Sequence, residues 1–171
     1  MLFRSDGLLA VFGQRSGIEA GCREALRTAR AIDLALDHIN AKLESEIGRP
    51  LQVGIGVDAG PLLVGRIGYG DAVDFTVIGN PVNVASRLES IAKEKGLQLV
   101  VSREVARHAG WEPDAAFHDT VKVRGVAEPV EVIGIARGRD LPATILIFAD
   151  DEKERPKPRG MPWTMGRWGG A

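Results

Sequence analysis

A strand that runs directly into a helix, over residues 74–89, constrains the fold of this chain more than any other segment. The apolar and β-branched run at 74–78 predicts a strand, and Gly79 ends it. Asn80 is a favourable N-cap and Pro81 suits the first helical position, so a helix is expected to begin at once. A strand joined so tightly to a helix indicates a sheet with helices packed on it.

Two polar side chains lie four residues apart near the start of this helix, which is expected to run over 81–95. Asn83 and Arg87 therefore share one face of the helix. A neutral hydrogen-bonding group and a permanent cation, close to a helix start, suit a phosphorylated ligand. The same pair is also typical of local capping chemistry and a solvated surface charge, so spacing alone leaves both interpretations open.

The first part of the chain predicts a hairpin and one long helix. Residues 2–13 have the pattern of two short strands with Asp6-Gly7 at the tip. Small and apolar residues then recur in steps of three and four, at Ile18, Cys22, Ala25, Ala29, Ile32, Leu36, Ile39 and Leu43. A coiled coil is possible at this length, but the frequent alanine and the strands that follow favour packing on a sheet.

The remaining pattern predicts an α+β fold, a ferredoxin-like mixed sheet covered by helices. Further strands are expected at 51–56, 62–67, 97–101, 117–123 and 129–135, with a short helix after Ser102. We expect the folded domain to cover residues 1–137. Residues 138–171 are expected to form a flexible tail or linker, because the composition there changes to alternating charges and then Pro, Gly and Trp.

Composition excludes several classes of protein. A net charge of −1 leaves no electrostatic footprint for nucleic acid or for an anionic membrane. No apolar run approaches the ~18 residues of a membrane span, and the N-terminus is not a signal peptide. The single cysteine, Cys22, fits a reducing compartment. A cytoplasmic protein is therefore expected, large enough to bury one core.

The segment 74–89 resembles the signature of the class III nucleotidyl cyclases, the adenylate and guanylate cyclases, almost throughout. The resemblance covers about residues 2–136 and lacks the first third of the family domain, so it implies an N-terminally truncated cyclase-type fold. It implies an adenylate cyclase domain in signal transduction, which converts ATP to cyclic AMP and pyrophosphate with two Mg²⁺ or Mn²⁺ ions. It also implies a homodimer, or pairing with a partner cyclase chain.

The resemblance implies roles for individual residues as well. Asn83 and Arg87 correspond to the ribose-orienting and transition-state residues, which the family supplies from the partner subunit. Asp6, in the run Ser-Asp-Gly-Leu-Leu-Ala-Val-Phe-Gly, corresponds to a metal ligand, although Asp-Gly is also typical of a simple hairpin turn. Thr76 corresponds to a base-recognition position, and Arg124 to a residue that reaches the terminal phosphates.

Two departures from the family pattern bear on activity. Leu2 stands where adenylate cyclases usually carry a lysine that contacts the purine. The family's first metal-bearing strand is missing from the front, and residues 143–150 resemble it, with Asp150 as its carboxylate. A permuted strand and a chance similarity would both explain this. Weak or absent activity of this chain alone is therefore expected. One alternative is a catalytically incompetent regulatory or dimerisation module. Another is an unrelated ferredoxin-like binding domain, which the long signature disfavours.

Overall fold

The computed structural model of the chain describes residues 2–4, 7–69, 72–113 and 117–145. Within these ranges the elements follow one another as β1 (Leu2–Arg4), β2 (Gly7–Leu9), α1 (Ile18–Ile47), β3 (Ile55–Val57), β4 (Leu63–Tyr69), β5 (Ala72–Ile78), α2 (Asn80–Lys95), β6 (Leu99–Ser102), α3 (Arg103–Ala109), β7 (Phe117–Val121) and β8 (Val130–Ile135). Two 3₁₀ turns, Gly138–Asp140 and Ala143–Ile145, follow β8. No helix in the described ranges is long and apolar enough to cross a membrane.

A four-stranded mixed sheet in the order β3-β6-β8-β7 forms the centre of the fold. Strand β3 runs parallel to β6, with Ile55 opposite Leu99, whereas β8 is antiparallel to both β6 and β7. The β1–β2 and β4–β5 hairpins form separate two-stranded sheets. The predicted α+β fold, a mixed sheet covered by helices, is confirmed.

The central strand β6 separates two apolar cores. Leu99 and Val101 pack in one core with residues of α1 and α3, whereas Val100 packs in the other with residues of α2. This alternation follows from the two-residue period of a strand. All four residues of β6 are buried because helices cover both faces of the sheet. In the described part of the chain the sheet therefore forms the middle layer, with α1 and α3 on one face and α2 on the other.

The predicted long helix is confirmed as α1, which has 30 residues. Cys22 and Ala29 of its apolar stripe are buried in the core formed with the sheet and α3, as packing on a sheet requires, and Leu36 is also buried. Ile18 and Ile39, in the same stripe, are 38% and 42% exposed. The stripe is therefore covered most completely over its middle.

Two local predictions differ from the structure: the start of the strand at residue 51, and Asn80 as the N-cap of α2. Residues 51–54 do not extend β3; the Asn40 side chain donates to the Leu51 carbonyl at 3.0 Å and accepts from the Leu51 N–H at 2.7 Å. Asn80 is the first residue of α2 and not its N-cap, since Gly79 takes that position and no side chain caps the helix.

The chain after β8 packs onto the domain, although the folded part was expected to end at 137. Leu141 and Ile145 are each only 2% exposed, and both belong to the core formed by α1, α3 and the sheet. The ordered domain therefore extends at least to residue 145. Residues 146–171 lie outside the described residues, so a flexible tail there stays a prediction.

The structure contradicts the permuted-strand interpretation of residues 143–150 over its first three residues. Ala143–Ile145 forms a 3₁₀ turn, in which the Ile145 N–H donates to the Pro142 carbonyl at 3.2 Å. Burial of Ile145 in the core favours this turn over an extended chain. The rest of the predicted strand, including Asp150, lies outside the described residues.

Candidate functional site

Helix α2 approaches strand β3 so closely that only glycine fits at the contact. A Cβ atom built on Gly56 would lie 2.0 Å from the backbone oxygen of Ala85 and 2.4 Å from the backbone nitrogen of Glu89. A Cβ on Gly60 would lie 2.9 Å from the ring of Pro81 at the start of the helix. These two glycines let the helix rest directly on the strand backbone, and so they fix the position of α2.

The two faces of α2 have different environments. Val84, Leu88 and Ile91 are buried against the sheet. Asn83 and Arg87, one helical turn apart, are both exposed, as their spacing predicted. Neither side chain is therefore used to pack the core of its own chain.

Arg87 already has an anionic partner on the same helix. Its Nη1 atom donates a hydrogen bond to Glu94 Oε1 at 3.0 Å, and the two side chains are 44% and 56% exposed. Glu94 lies two turns toward the C-terminus, so the guanidinium is drawn along the helix away from Asn83. An ion pair this exposed is weak, and a phosphate can replace the carboxylate.

The β4–β5 hairpin leads directly into α2 and carries Thr76. In its register Thr76 lies opposite Gly65, and Leu63 lies opposite Ile78 at the base. Thr76 is half-buried, whereas Leu63 and Ile78 are 74% and 50% exposed. The hairpin thus presents an apolar pair to solvent immediately before the helix that bears Asn83.

Arg124 lies in the turn between β7 and β8. The preceding residue, Val123, is buried in the same core as Val84 and Leu88 of α2, while the Arg124 side chain is exposed. Gly125 has φ +86°, which allows the sharp turn that follows. The fold therefore places the Arg124 turn beside α2.

The predicted metal ligands, Asp6 and Asp150, both lie outside the described residues. Across the parts of the chain that the structure describes, no three His, Cys, Asp or Glu side chains come close enough to hold a metal ion. The described residues therefore offer groups that could orient and neutralise a phosphorylated ligand, but they do not by themselves form a metal site.

Two features of the site were not predicted from the sequence. The seven-residue spacing of Arg87 and Glu94 could have indicated their pairing, because residues seven apart lie on the same helix face after two turns. The contact at Gly56 also has a signal, because a glycine inside a predicted strand often marks a close approach of backbones.

Similar sequences include both uncharacterised proteins and a cyclase. The family model of the adenylate and guanylate cyclase catalytic domain matches residues 9–134. An uncharacterised protein of Mycobacterium tuberculosis is 35% identical over 143 residues, which cover 82% of this chain and 24% of that protein. The adenylate cyclase of Anabaena cylindrica is 31% identical over 134 residues, which cover 74% of this chain and 26% of the enzyme. The chain spans about a quarter of the length of these relatives.

Solved structures with a similar fold include both cyclase types. The guanylyl cyclase Cya2 matches with a TM-score of 0.66 and 28% identity, over 80% of this chain and 68% of that chain. The adenylyl cyclase CyaB from P. aeruginosa matches with a TM-score of 0.59 over 72% of this chain and 64% of that chain. Its identity of 24% shows a shared fold alone. The comparisons do not separate ATP from GTP as the substrate.

Proposed function

Because this chain belongs to the family of adenylate and guanylate cyclase catalytic domains, we propose that it is an adenylate cyclase domain of a cytoplasmic signalling protein. In the proposed reaction the ribose 3′-hydroxyl of ATP gives up its proton to solvent water, and its oxygen attacks the α-phosphorus. The bond from that phosphorus to the bridging oxygen breaks, and cyclic AMP and pyrophosphate are released. Such a transfer depends mainly on positioning and charge stabilisation.

The exposure of Asn83 and Arg87 is the observation that carries this proposal. Both side chains are exposed and lie outside the buried stripe of α2, so their polar groups are available to a ligand or to a second subunit. We propose that Asn83 orients the ribose and that Arg87 neutralises charge on the α-phosphate oxygens in the transition state. A permanent cation suits the second role, since its charge does not depend on pH.

Other residues complete the proposed site. Thr76 would contact the base, and Arg124 would reach the terminal phosphates. When bound, two Mg²⁺ or Mn²⁺ ions would activate the attacking oxygen and neutralise the leaving phosphates. Asp6 is the candidate ligand that the hairpin motif supplies, and Asp150 is a second, weaker candidate. A threonine at position 76 is similar to bacterial adenylate cyclases, and it supports ATP over GTP.

The β4–β5 hairpin supports a dimer. A two-stranded sheet is marginally stable in water without further packing. Here Leu63 and Ile78 leave an apolar pair exposed at the hairpin base, next to the start of α2. A second copy of the chain could cover this pair beside the helix that carries Asn83 and Arg87, and we propose that Asp6 of that copy then completes the site. We therefore propose a two-fold homodimer, or pairing with another cyclase chain, in which each site uses both subunits.

The alternative function is a cyclase-like regulatory or dimerisation module without catalysis. This alternative has its basis in the sequence, because two metal ions need at least two carboxylates and only Asp6 is supplied by a clear motif. The purified chain, incubated with ATP or GTP and with Mg²⁺ or Mn²⁺, separates the two functions. Formation of cyclic AMP supports the enzyme. Dimerisation without any cyclic nucleotide, under all four conditions, supports the module.

Arg87→Ala tests the assigned role. Turnover is expected to fall on the order of 10²-fold or more while KM changes little, because the contact strengthens in the transition state. Arg103→Ala is the matched control, since Arg103 is an exposed helical arginine that pairs with Glu131 at 3.5 Å. An equal loss in both variants would remove Arg87 from the proposed site.

Mixing two inactive variants tests whether the site is shared. An Arg87→Ala chain keeps Asp6, and an Asp6→Asn chain keeps Arg87, so a mixed dimer contains one intact site. Activity should return to roughly a quarter of the wild-type level on statistical mixing of equal amounts. No recovery, with mixed dimers shown by native mass spectrometry, would contradict a site shared between subunits.

A further inference from the structure

A cluster of two aspartates and two arginines ties the chain after β8 to helix α1. Asp33 of α1 is fully buried; its Oδ1 accepts from Arg137 Nε at 2.9 Å, and its Oδ2 accepts from Arg139 Nε at 2.6 Å. Asp37, one turn further along α1, accepts from Arg137 Nη2 at 2.7 Å and also from Arg139 Nη2. Each aspartate thus binds both arginines.

Backbone contacts hold the same segment. The Gly138 N–H donates to the buried Gln98 side chain at 2.6 Å, and the Arg139 N–H donates to Asp33 Oδ2 at 3.1 Å. Arg30 of α1 donates to the Arg139 carbonyl at 3.0 Å. A Cβ on Gly138 would lie 2.7 Å from the Ala29 carbonyl oxygen, so the segment is pressed against the helix.

The segment also closes the core. Leu141 and Ile145 are buried together with Leu26 and Ala29 of α1. The family model ends at residue 134, so this segment lies beyond the part of the chain that the model matches. Residues 137–145, which we call the strap, therefore follow the matched domain and pack onto it.

We propose that the strap is a conformational device that holds α1 onto the sheet through Asp33 and that opens and closes as one unit. Asp33 is the residue that holds the strap, because both of its arginine partners, Arg137 and Arg139, belong to the strap. When the strap opens, Asp33 loses its hydrogen bonds to Arg137 Nε, Arg139 Nε and the Arg139 N–H together, and charge-assisted hydrogen bonds are the strong ones. Partial opening is therefore disfavoured, which makes the strap a two-state element.

The hydrogen bonds from the strap keep the Asp33 carboxylate charged. Burial alone would raise the pKa of Asp33, but hydrogen bonds from Arg139 and Arg137 hold that pKa well below its usual range. The carboxylate therefore stays charged wherever the domain is folded. Asp37 is 48% exposed and contributes less, because solvent screens its charge.

Movement of α1 would reach the hairpin that carries Asp6. The first turns of α1 pack against the exit from β2, where a Cβ on Gly21 would lie only 2.6 Å from the Gly13 Cα. Backbones in such close contact transmit a displacement, because no side chain lies between them to absorb it. This consequence for activity rests on the proposed function, whereas the strap itself does not.

Hydrogen exchange measured by mass spectrometry on the full chain tests the strap directly. In Asp33→Asn the amides of the strap, including Arg139 and Leu141, should exchange on the order of 10²-fold faster than in the wild type. Peptides from β6 should keep their protection. Asp37→Asn should give a much smaller change. Glu131→Gln, which removes an exposed ion pair elsewhere, should leave the strap unchanged.

A second variant decides the outcome if Asp33→Asn does not fold. Arg139→Lys keeps the charge but cannot bind two carboxylates with one planar group, so faster strap exchange with a protected β6 is expected. Strap exchange equal to that of Glu131→Gln, or strap and β6 exchanging together in Arg139→Lys, would overturn the proposal. A wild-type chain that forms no cyclic nucleotide, either alone or mixed with another cyclase chain, would contradict the proposed function and leave these exchange results intact.

Discussion

Replacing Gly56 with alanine should displace the helix that carries the proposed catalytic residues. The added Cβ would lie 2.0 Å from the Ala85 oxygen and 2.4 Å from the Glu89 nitrogen. Both are backbone atoms, so they cannot rotate away. Relief of this overlap requires helix α2 to move from β3 by about 1 Å. Overpacking of this kind costs typically ~1–3 kcal/mol.

Two measurements follow from these magnitudes. For a domain of this size, the stability loss corresponds to a fall in Tm of roughly 3–10 °C. A displacement of about 1 Å at Asn83 and Arg87 should lower turnover on the order of 10²-fold, since catalysis depends on near-attack geometry. Thermal unfolding and steady-state kinetics measure the two effects, and the thermal measurement does not require an active wild type.

Gly65→Ala is the matched control. Gly65 also lies in a strand, but a Cβ built there meets no atom within 4 Å. Its Tm and turnover should stay close to those of the wild type. If Gly56→Ala behaves like Gly65→Ala in both measurements, α2 does not rest on Gly56, and the argument for how the site is positioned fails.

Three further outcomes are expected. Glu94→Gln should raise kcat/KM about two- to fivefold at low ionic strength, because it releases Arg87 from its ion pair, and the gain should be smaller in high salt. An unchanged kcat/KM would show that the ion pair does not compete with substrate. Burial raises the pKa of the Cys22 thiol to about 11, so a thiol reagent at mildly alkaline pH should label it only after denaturation. Burial also raises the pKa of Asp58 above its ordinary value of 3.8, so stability falls as pH rises through that raised pKa. Asp58→Asn should therefore raise Tm at neutral pH, with a gain that shrinks toward pH 3.8; a gain independent of pH would contradict this cause.

The sequence predicted those parts of the fold that depend on local chemistry. Pro81 near the start of α2 and Gly96 in the left-handed conformation at its end marked the helix, and its apolar residues indicated which face would be buried. The exposed face with Asn83 and Arg87 followed from the same period. These features need only neighbours within one or two turns, so a single sequence contains the necessary information.

Long-range contacts were not predictable from local patterns. The expected boundary at 137 rested on composition, whereas burial of the strap depends on Asp33, which lies 104 residues before Arg137. The strand expected at 51–56 loses its first part to the Asn40 side chain, eleven residues away from Leu51 on another element. In both cases a polar side chain binds a segment that is distant in sequence. Asp33 pairs with the arginines of the strap, and Asn40 forms hydrogen bonds with the backbone of Leu51.

These two levels act together at the proposed site. The signature segment places Asn83 and Arg87 on one helix face, but it does not determine where that face points. The direction is set by Gly56 on β3, outside the signature, because the helix can approach the sheet only where a Cβ is absent. A related chain could therefore keep the whole signature and still lose the site through one substitution at this glycine. For this reason the contact at Gly56 is a better test of a working site than the presence of the signature itself.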